Sequence, residues 1–219
     1  MLQGKSMTKN IKITIEYDGT DYHGWQRQRD DPTIQGEIEK ALLTMTGKRI
    51  TLTGAGRTDA GVHAFGQVAN FHCDAEWMPE VFHRGLNRLL PDDIVIKACR
   101  QVDESFHARY DVKSKIYHYR ILNRPIPAAI GRHYAWFIPR PLDPTAMRSA
   151  MASMLGSQDF KAFEGSGSPR AHTIRHVIAA ALNPGDRGHM IFSIEADGFL
   201  RFMVRNIVGT LVAIGLGKV

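Results

Sequence analysis

The sequence predicts an α+β fold in two similar halves, each a mainly antiparallel sheet with helices on one face, with a cleft between the halves. Three observations predict it. Strand-like and helical stretches are mixed within each half. Five prolines, Pro125, Pro127, Pro139, Pro141 and Pro144, interrupt the chain between them. Near the end, "TIRHVIAAALNP" and "HMIFSIEADGF" flank the turn "NPGDRG", an antiparallel pair.

The N-terminal half spans 8–124. Its first strand runs from Lys12 to Tyr17 and stops at the turn dipeptide Asp18-Gly19. In "PTIQGEIEKALLTMTG", Thr33 can cap a helix that repeats Ile34, Ile38, Leu42 and Met45 on one face, and Gly47 can end it. "RITLTGAG" reads as a strand entering a glycine-rich loop, and "QVANFHC" as the strand leaving it. "MPEVFHRGLNRLL" reads as a helix with Pro79 in its first turn and Val81, Phe82, Leu86 and Leu89 inward. "DIVIKACRQV" and "KIYHYRILN" are further strands. A Pro-rich connection covers 125–141.

The C-terminal half spans 142–219. Asp143 can cap a helix with Pro144 in its first turn, Met147, Met151, Met154 and Leu155 inward, and Gly156 at its end. Such a methionine stripe belongs to a core rather than to a cofactor site. "GSGSPR" (165–170) reads as a flexible loop. "FLRFMVRNIVGTLVAIG" is a helix apolar on most sides, and so substantially buried.

At 219 residues and 43% hydrophobic content, the chain can bury a sizeable core, which excludes a disordered tail. No apolar run reaches the length of a membrane span, and "MLQGKSMTKNIKITIEY" lacks the apolar centre of a signal peptide. Met7 is an alternative start. Cys73 and Cys99 lie far apart without CxxC spacing, which fits a reducing cytoplasm. The net charge of +6 favours a polyanionic partner, nucleic acid first, although a merely basic protein accounts for it equally well.

The densest motif is "GAGRTDAGVHAFGQ", Gly54 to Gln67, with Arg57 and Asp59 held among Gly54, Gly56, Gly61 and Gly66. A dinucleotide fingerprint needs GxGxxG between strand and helix. Here the spacing is longer and a strand follows, and GxxxxGK[ST] is missing, so a phosphate cradle is not expected. Tight turns explain one or two of the glycines but not the charged pair between them. His63, His72 and Cys73 do not form a ligand set, so no metal is expected. "FHARYD" places His107 and Arg109 beside aromatics, which suits packing or an RNA face equally. No serine or cysteine nucleophile motif is present, and no second acid stands near Asp59 in sequence for a glycosidase pair. What remains is one aspartate, several arginines and a tyrosine. Tyr117 and Tyr119 share a strand face. Arg201 and Arg205 share a helix face, where an arginine among Met203, Val204, Ile207 and Val208 is expected to seek a carboxylate.

The segments "EYDGTDYHGWQRQ", "TIQGEIEKAL", "GAGRTDAGVHAFGQVANF", "FHARYDVKSKIYHYRI" and "FMVRNIVGTL" occur in order from Tyr17 to Leu211 and resemble the TruA family of tRNA pseudouridine synthases. "GRTDxGVHA" is highly specific to that family. The resemblance implies a cofactor-free homodimer that turns uridine into pseudouridine in the tRNA anticodon arm, at about positions 38 to 40 of the tRNA. It implies Asp59 as the catalytic aspartate, Tyr117 as the tyrosine that stacks on the uracil, Arg57 as the residue filling the gap left by a flipped base, and Arg205 as the partner that keeps Asp59 charged. His63 and Gln67 are expected near RNA. The family pattern continues beyond the last helix, so the C-terminal sheet is expected to lack a strand. A tRNA-binding protein or chaperone of the same fold without turnover is the alternative reading.

Overall fold

A computed structural model describes residues 8–167 and 172–219. The alternative start at Met7 and residues 168–170 of "GSGSPR" lie outside the described residues. The chain divides into two units, Met1–Val112 and Lys113–Val219. Among the described residues, no helix is long and apolar enough to cross a membrane.

The N-terminal unit is a four-stranded antiparallel sheet in the order β2-β3-β1-β4, formed by β1 (Lys9–Tyr17), β2 (Thr53–Gly54), β3 (Ala64–Cys73) and β4 (Ile94–Val102). Alternation along β1 buries Ile11, Ile13, Ile15 and Tyr17 on one face. Helices α1 (Ile34–Thr46) and α2 (Pro79–Leu89) pack there through Ile34, Ile38, Leu42, Phe82 and Leu86. Each fully buried Ile, Leu or Phe contributes about 1.5–3 kcal/mol.

The caps expected for α1 are present. The Thr33 side chain accepts from the Gly36 N–H, and Gly47 ends the helix at φ 68°. In α2, Val81 and Leu89 are exposed, contrary to the inward reading, and only Phe82 and Leu86 are buried. Eleven residues with polar neighbours bury a narrow stripe, so the two flanking apolar positions fall outside it.

The expected strand in "RITLTGAG" shrinks to Thr53–Gly54. Side chains from α1 take the backbone groups that a ladder would use. The Leu52 N–H donates to Glu39 Oε1 (3.0 Å), and Gln35 Nε2 donates to the Leu52 carbonyl (3.0 Å).

The C-terminal unit is a five-stranded sheet in the order β6-β5-β9-β8-β7. Its strands are β5 (Lys115–Asn123), β6 (Trp136–Ile138), β7 (Gly156–Asp159), β8 (Ile174–Pro184) and β9 (His189–Ala196). Helices α3 (Pro144–Met151) and α4 (Met203–Gly215) pack on it through Met147, Met151, Met203, Ile207, Val208 and Leu211. Two features differ from the expected boundaries. Strand β5, assigned above to the first half, pairs with β9 along its length, and the Pro-rich segment supplies β6, parallel to β5. Proline excludes a strand only where it removes a needed N–H, and Trp136–Ile138 contains none.

Asp143 Oδ1 caps α3 at the Thr145 and Ala146 N–H groups. Met147, Met151 and Met154 are buried as expected, but Leu155 is exposed, because the helix tightens into a 3-10 turn at Ala152–Met154 and rotates the next residue outward.

Candidate active site

Asp59 and Arg57 belong to the N-terminal unit, Tyr117 and Arg205 to the C-terminal unit. The loop joining β2 to β3 is built from both sides of Asp59. Just before it, the Thr58 hydroxyl meets the Tyr17 hydroxyl at 2.8 Å, and the Thr58 carbonyl accepts from the Trp25 N–H at 3.1 Å. Just after it, the Val62 N–H donates to the Asp59 carbonyl (3.2 Å), and the Gly61 N–H donates to the Tyr22 carbonyl (3.2 Å). Tyr22 is itself held by a 2.6 Å bond from its hydroxyl to Asp93, and burial with that bond pushes its phenol above the usual range.

The glycines have separate duties. Of the four in the motif only Gly61 takes a positive φ. Gly54 is required by packing, since a Cβ there would come within 2.6 Å of the buried Trp25 indole. Outside the motif, Gly24 sits at φ 89°, where a Cβ would lie 2.5 Å from the Thr58 carbonyl oxygen. Its bare backbone forms the floor beneath Thr58 and Asp59.

On this frame the Asp59 and Arg57 side chains are exposed. Within the N-terminal unit neither has a hydrogen-bond or ion-pair partner among the described residues. A carboxylate pinned through its backbone and left open at its oxygens is available to an incoming electrophile.

His63 and Gln67, expected near RNA, take part in holding the loop. Gln67 Nε2 donates to the Gly56 carbonyl (2.9 Å). His63 Nδ1 lies 2.9 Å from Asp18 Oδ1 and 3.1 Å from the Gly19 nitrogen. These contacts are alternatives: a protonated Nδ1 donates to the carboxylate, and a bare one accepts from the Gly19 N–H.

In the C-terminal unit, Tyr117 is half-buried on the face of β5 that also carries Tyr119 and the buried Ile121. Its ring meets Phe199 edge-on at 4.9 Å. Arg205 lies in the first turn of α4 and is exposed, not set into a buried helix face. The helix buries Met203, Ile207, Val208, Leu211 and Val212, and position 205 falls opposite that stripe. Arg201 precedes the helix. Its guanidinium and that of Arg205 both pack on the Phe202 ring, at 4.7 and 5.1 Å from the centroid. Phe202 holds a left-handed backbone, φ 59°, which is strained for a residue with a Cβ. The turn is braced by the Gly165 N–H on the Arg201 carbonyl (2.8 Å) and Asn206 Nδ2 on the Phe163 carbonyl (2.9 Å). Within this unit, no carboxylate among the described residues pairs with Arg205.

Sequence reasoning missed Tyr17, Gly24 and Trp25 as supports of the loop. The available signal was a glycine directly before a tryptophan in "YHGWQ". Among the described residues, no group of three His, Cys, Asp or Glu side chains could hold a metal ion.

Comparison with known proteins adds a separate line. The sequence model of a family described as tRNA pseudouridine synthase matches residues 13–111 and 150–219. A protein of Acetivibrio thermocellus named tRNA pseudouridine synthase A is 47% identical over 211 residues, 96% of this chain and 86% of the relative. The protein of that name from a Thermoanaerobacter species is 46% identical over the same shares. That of Thermodesulfovibrio yellowstonii is 43% identical over 218 residues, 95% of this chain and 86% of the relative.

Proposed function

This chain belongs to the tRNA pseudouridine synthase family, and from that premise we propose that it isomerises uridine to pseudouridine in the anticodon stem-loop of tRNA, with Asp59 as nucleophile and no cofactor. The observation that carries the assignment is the Asp59 loop itself: an exposed carboxylate in a loop fixed at Thr58 from Tyr17 and Trp25 and at Gly61 from Tyr22.

The reaction breaks the bond between ribose C1′ and uracil N1 and forms one between C1′ and C5. The departing base carries the electron pair as a ring-delocalised anion and is not released. It rotates and attacks C1′ through C5, displacing the Asp59 carboxylate that bonded to C1′ as N1 left, and the C5 proton is then lost to solvent while N1 takes one up. Such a leaving group needs less help from a general acid than a sugar alkoxide does, which is why one carboxylate suffices. Asp59 acts at C1′ as the anion, and Arg205 keeps it charged once the site is dry. Tyr117 stacks on the uracil. Arg57, exposed two residues before Asp59, fills the space that the flipped nucleotide leaves in the stem.

The protein works in the cytoplasm as a homodimer. Its two free thiols, Cys73 and Cys99, suit a reducing compartment, and the homodimer follows from the family resemblance.

The test is pseudouridine formation in uridine-labelled tRNA. Wild type is expected to turn over, and Asp59→Ala to lose turnover while its tRNA affinity changes little. Turnover retained in Asp59→Ala removes the nucleophile assignment.

A further inference from the structure

We propose that the loop of residues 103–111, which follows β4, is a stacking platform for an unpaired nucleobase of the tRNA, with Tyr110 as its face; this rests on the tRNA reading above. Tyr110 is 73% exposed. A single exposed aromatic is ordinary on a protein surface, but this one is backed and braced. Its ring stacks on His107, with centroids 4.3 Å apart and planes 28° from parallel, and the Arg109 guanidinium lies 5.7 Å from its centroid.

The loop closes on itself. The Tyr110 and Asp111 N–H groups both donate to the His107 carbonyl, at 3.0 and 2.9 Å. The His107 N–H donates to Asp111 Oδ2 (2.7 Å). The Arg109 N–H donates to His107 Nδ1 (3.2 Å), which assigns the imidazole proton to Nε2 and fixes the ring against Tyr110.

Two amides from the sheet hold the loop from below. Asn10 and Asn70, 1% and 2% exposed, bond to each other at 2.9 Å. Asn10 Nδ2 donates to the Asp103 and Phe106 carbonyls (2.9 and 2.8 Å), and Asn70 Oδ1 accepts from the Ala108 N–H (2.9 Å). Burying amides between strands is costly unless each is satisfied. Here they fix the height and tilt of a loop that displays an aromatic ring.

The charge around the loop suits a polyanion. Lys12 lies over the Phe106 ring at 5.0 Å, and its cross-strand neighbour is Arg100. The carboxylates of Asp103 and Asp111 bind loop N–H groups, at Ser105 and His107; Glu104 is exposed. Among the described residues Arg109 makes no ion pair. A preset ring with a flanking cation fits the π-face of a base and offers no shaped pocket for a particular one, so the platform is tolerant of sequence and selects for an unstacked nucleotide.

The test uses tRNA with the whole chain. Tyr110→Ala is expected to raise the tRNA Kd and KM by roughly 5- to 150-fold, the cost of losing one base stack, with an unchanged melting temperature because the side chain is exposed. Tyr110→Phe keeps the ring and is expected to restore the affinity. Stacking also predicts that Tyr110→Ala leaves the slope of log Kd against log salt unaltered, whereas Arg109→Ala lowers it by about 1. Ultraviolet cross-linking of tRNA to the Asp59→Ala protein is expected to leave a nucleotide adduct on the peptide containing Tyr110. Pseudouridine formation by wild type with an unaffected Kd in Tyr110→Ala overturns the platform and leaves the tRNA reading standing. A wild type that neither binds tRNA nor forms pseudouridine in it overturns both.

Discussion

The Tyr17 hydroxyl, at the end of β1, lies 2.8 Å from the Thr58 hydroxyl, one residue before Asp59. The most buried strand of the N-terminal sheet is therefore bonded directly to the loop that presents the carboxylate. Tyr17→Phe removes this bond and leaves the packing intact. We expect about 1 kcal/mol of lost stability, or a melting temperature lower by about 2–4 °C, with a fall in kcat larger than the change in KM. An unaltered kcat would show that the bond does not position Asp59.

Gly24→Ala should be far more damaging than its size suggests. The position is left-handed, and the added methyl would meet the Thr58 carbonyl under Asp59. Gly47→Ala is the control, since it also carries a positive φ but has open space around it. Both should lose about 1 kcal/mol or more to backbone strain, whereas only Gly24→Ala should lose turnover. Thermal melts and a tRNA assay on the pair separate strain from displacement of the loop.

For Arg205→Ala we expect a loss of about 100-fold or more in kcat, the scale for removing one charge-stabilising donor from an active site. Stability should change by less than about 1 kcal/mol, because the side chain is exposed and rests on Phe202. Arg205→Lys should recover little of the rate, since an ammonium lacks the planar fork. A wild-type rate in Arg205→Ala would end the proposal that this arginine keeps Asp59 charged.

Glu39 should matter to folding rather than chemistry. Its buried carboxylate accepts from Arg27 Nη1 (2.6 Å), Gln35 Nε2 (3.0 Å) and the Leu52 N–H (3.0 Å). Glu39→Ala leaves the buried Gln35 and Leu52 donors without this acceptor, while Arg27 is exposed and stays hydrated, and a loss of about 3 kcal/mol is expected. Denaturant unfolding measures it. A loss under 1 kcal/mol would mean that water replaces the carboxylate.

Burial, with a smaller contribution from the Glu80 charge, pushes the Cys99 thiol from its ordinary value near 9 up to about 12. The folded state therefore holds this proton more tightly than the unfolded chain does. The resulting stability is complete below pH 9 and is lost as pH rises from there towards 12. Cys99→Ala should flatten this alkaline decline relative to wild type. Iodoacetamide at pH 8 should label Cys99 more slowly than a free thiol. Rapid labelling of the folded protein would contradict the burial.

The parts of the fold that could be read from residue order are those whose bonds span a few residues. Thr33 and Gly47 bracket α1, and Asp143 caps α3, because each cap bonds within its own turn. The proposed site was half legible for the same reason. Asp59 and Arg57 stand out within one short motif, and the order of five such motifs carries the family. Apart from the glycine before tryptophan in "YHGWQ", nothing in the residue order pointed to support from Tyr17, Gly24 and Trp25, since those residues are 34 to 42 positions away from Asp59.

Residue order alone was enough for both ends of α1, the Asp143 cap of α3, the hairpin at "NPGDRG" and the family, all of which depend on neighbours along the chain; it misplaced the end of α3, which stops at Met151 and not at Gly156, and the start of α4, which begins at Met203. Three-dimensional pairing was needed to learn that β5 joins β9, that Leu52 bonds to α1 side chains in place of a longer strand, and that Arg205 faces outward. Ladder partners and side-chain-to-backbone bonds join residues far apart in sequence, and their choice is made by which burial satisfies the most polar groups at once. No local pattern encodes that competition.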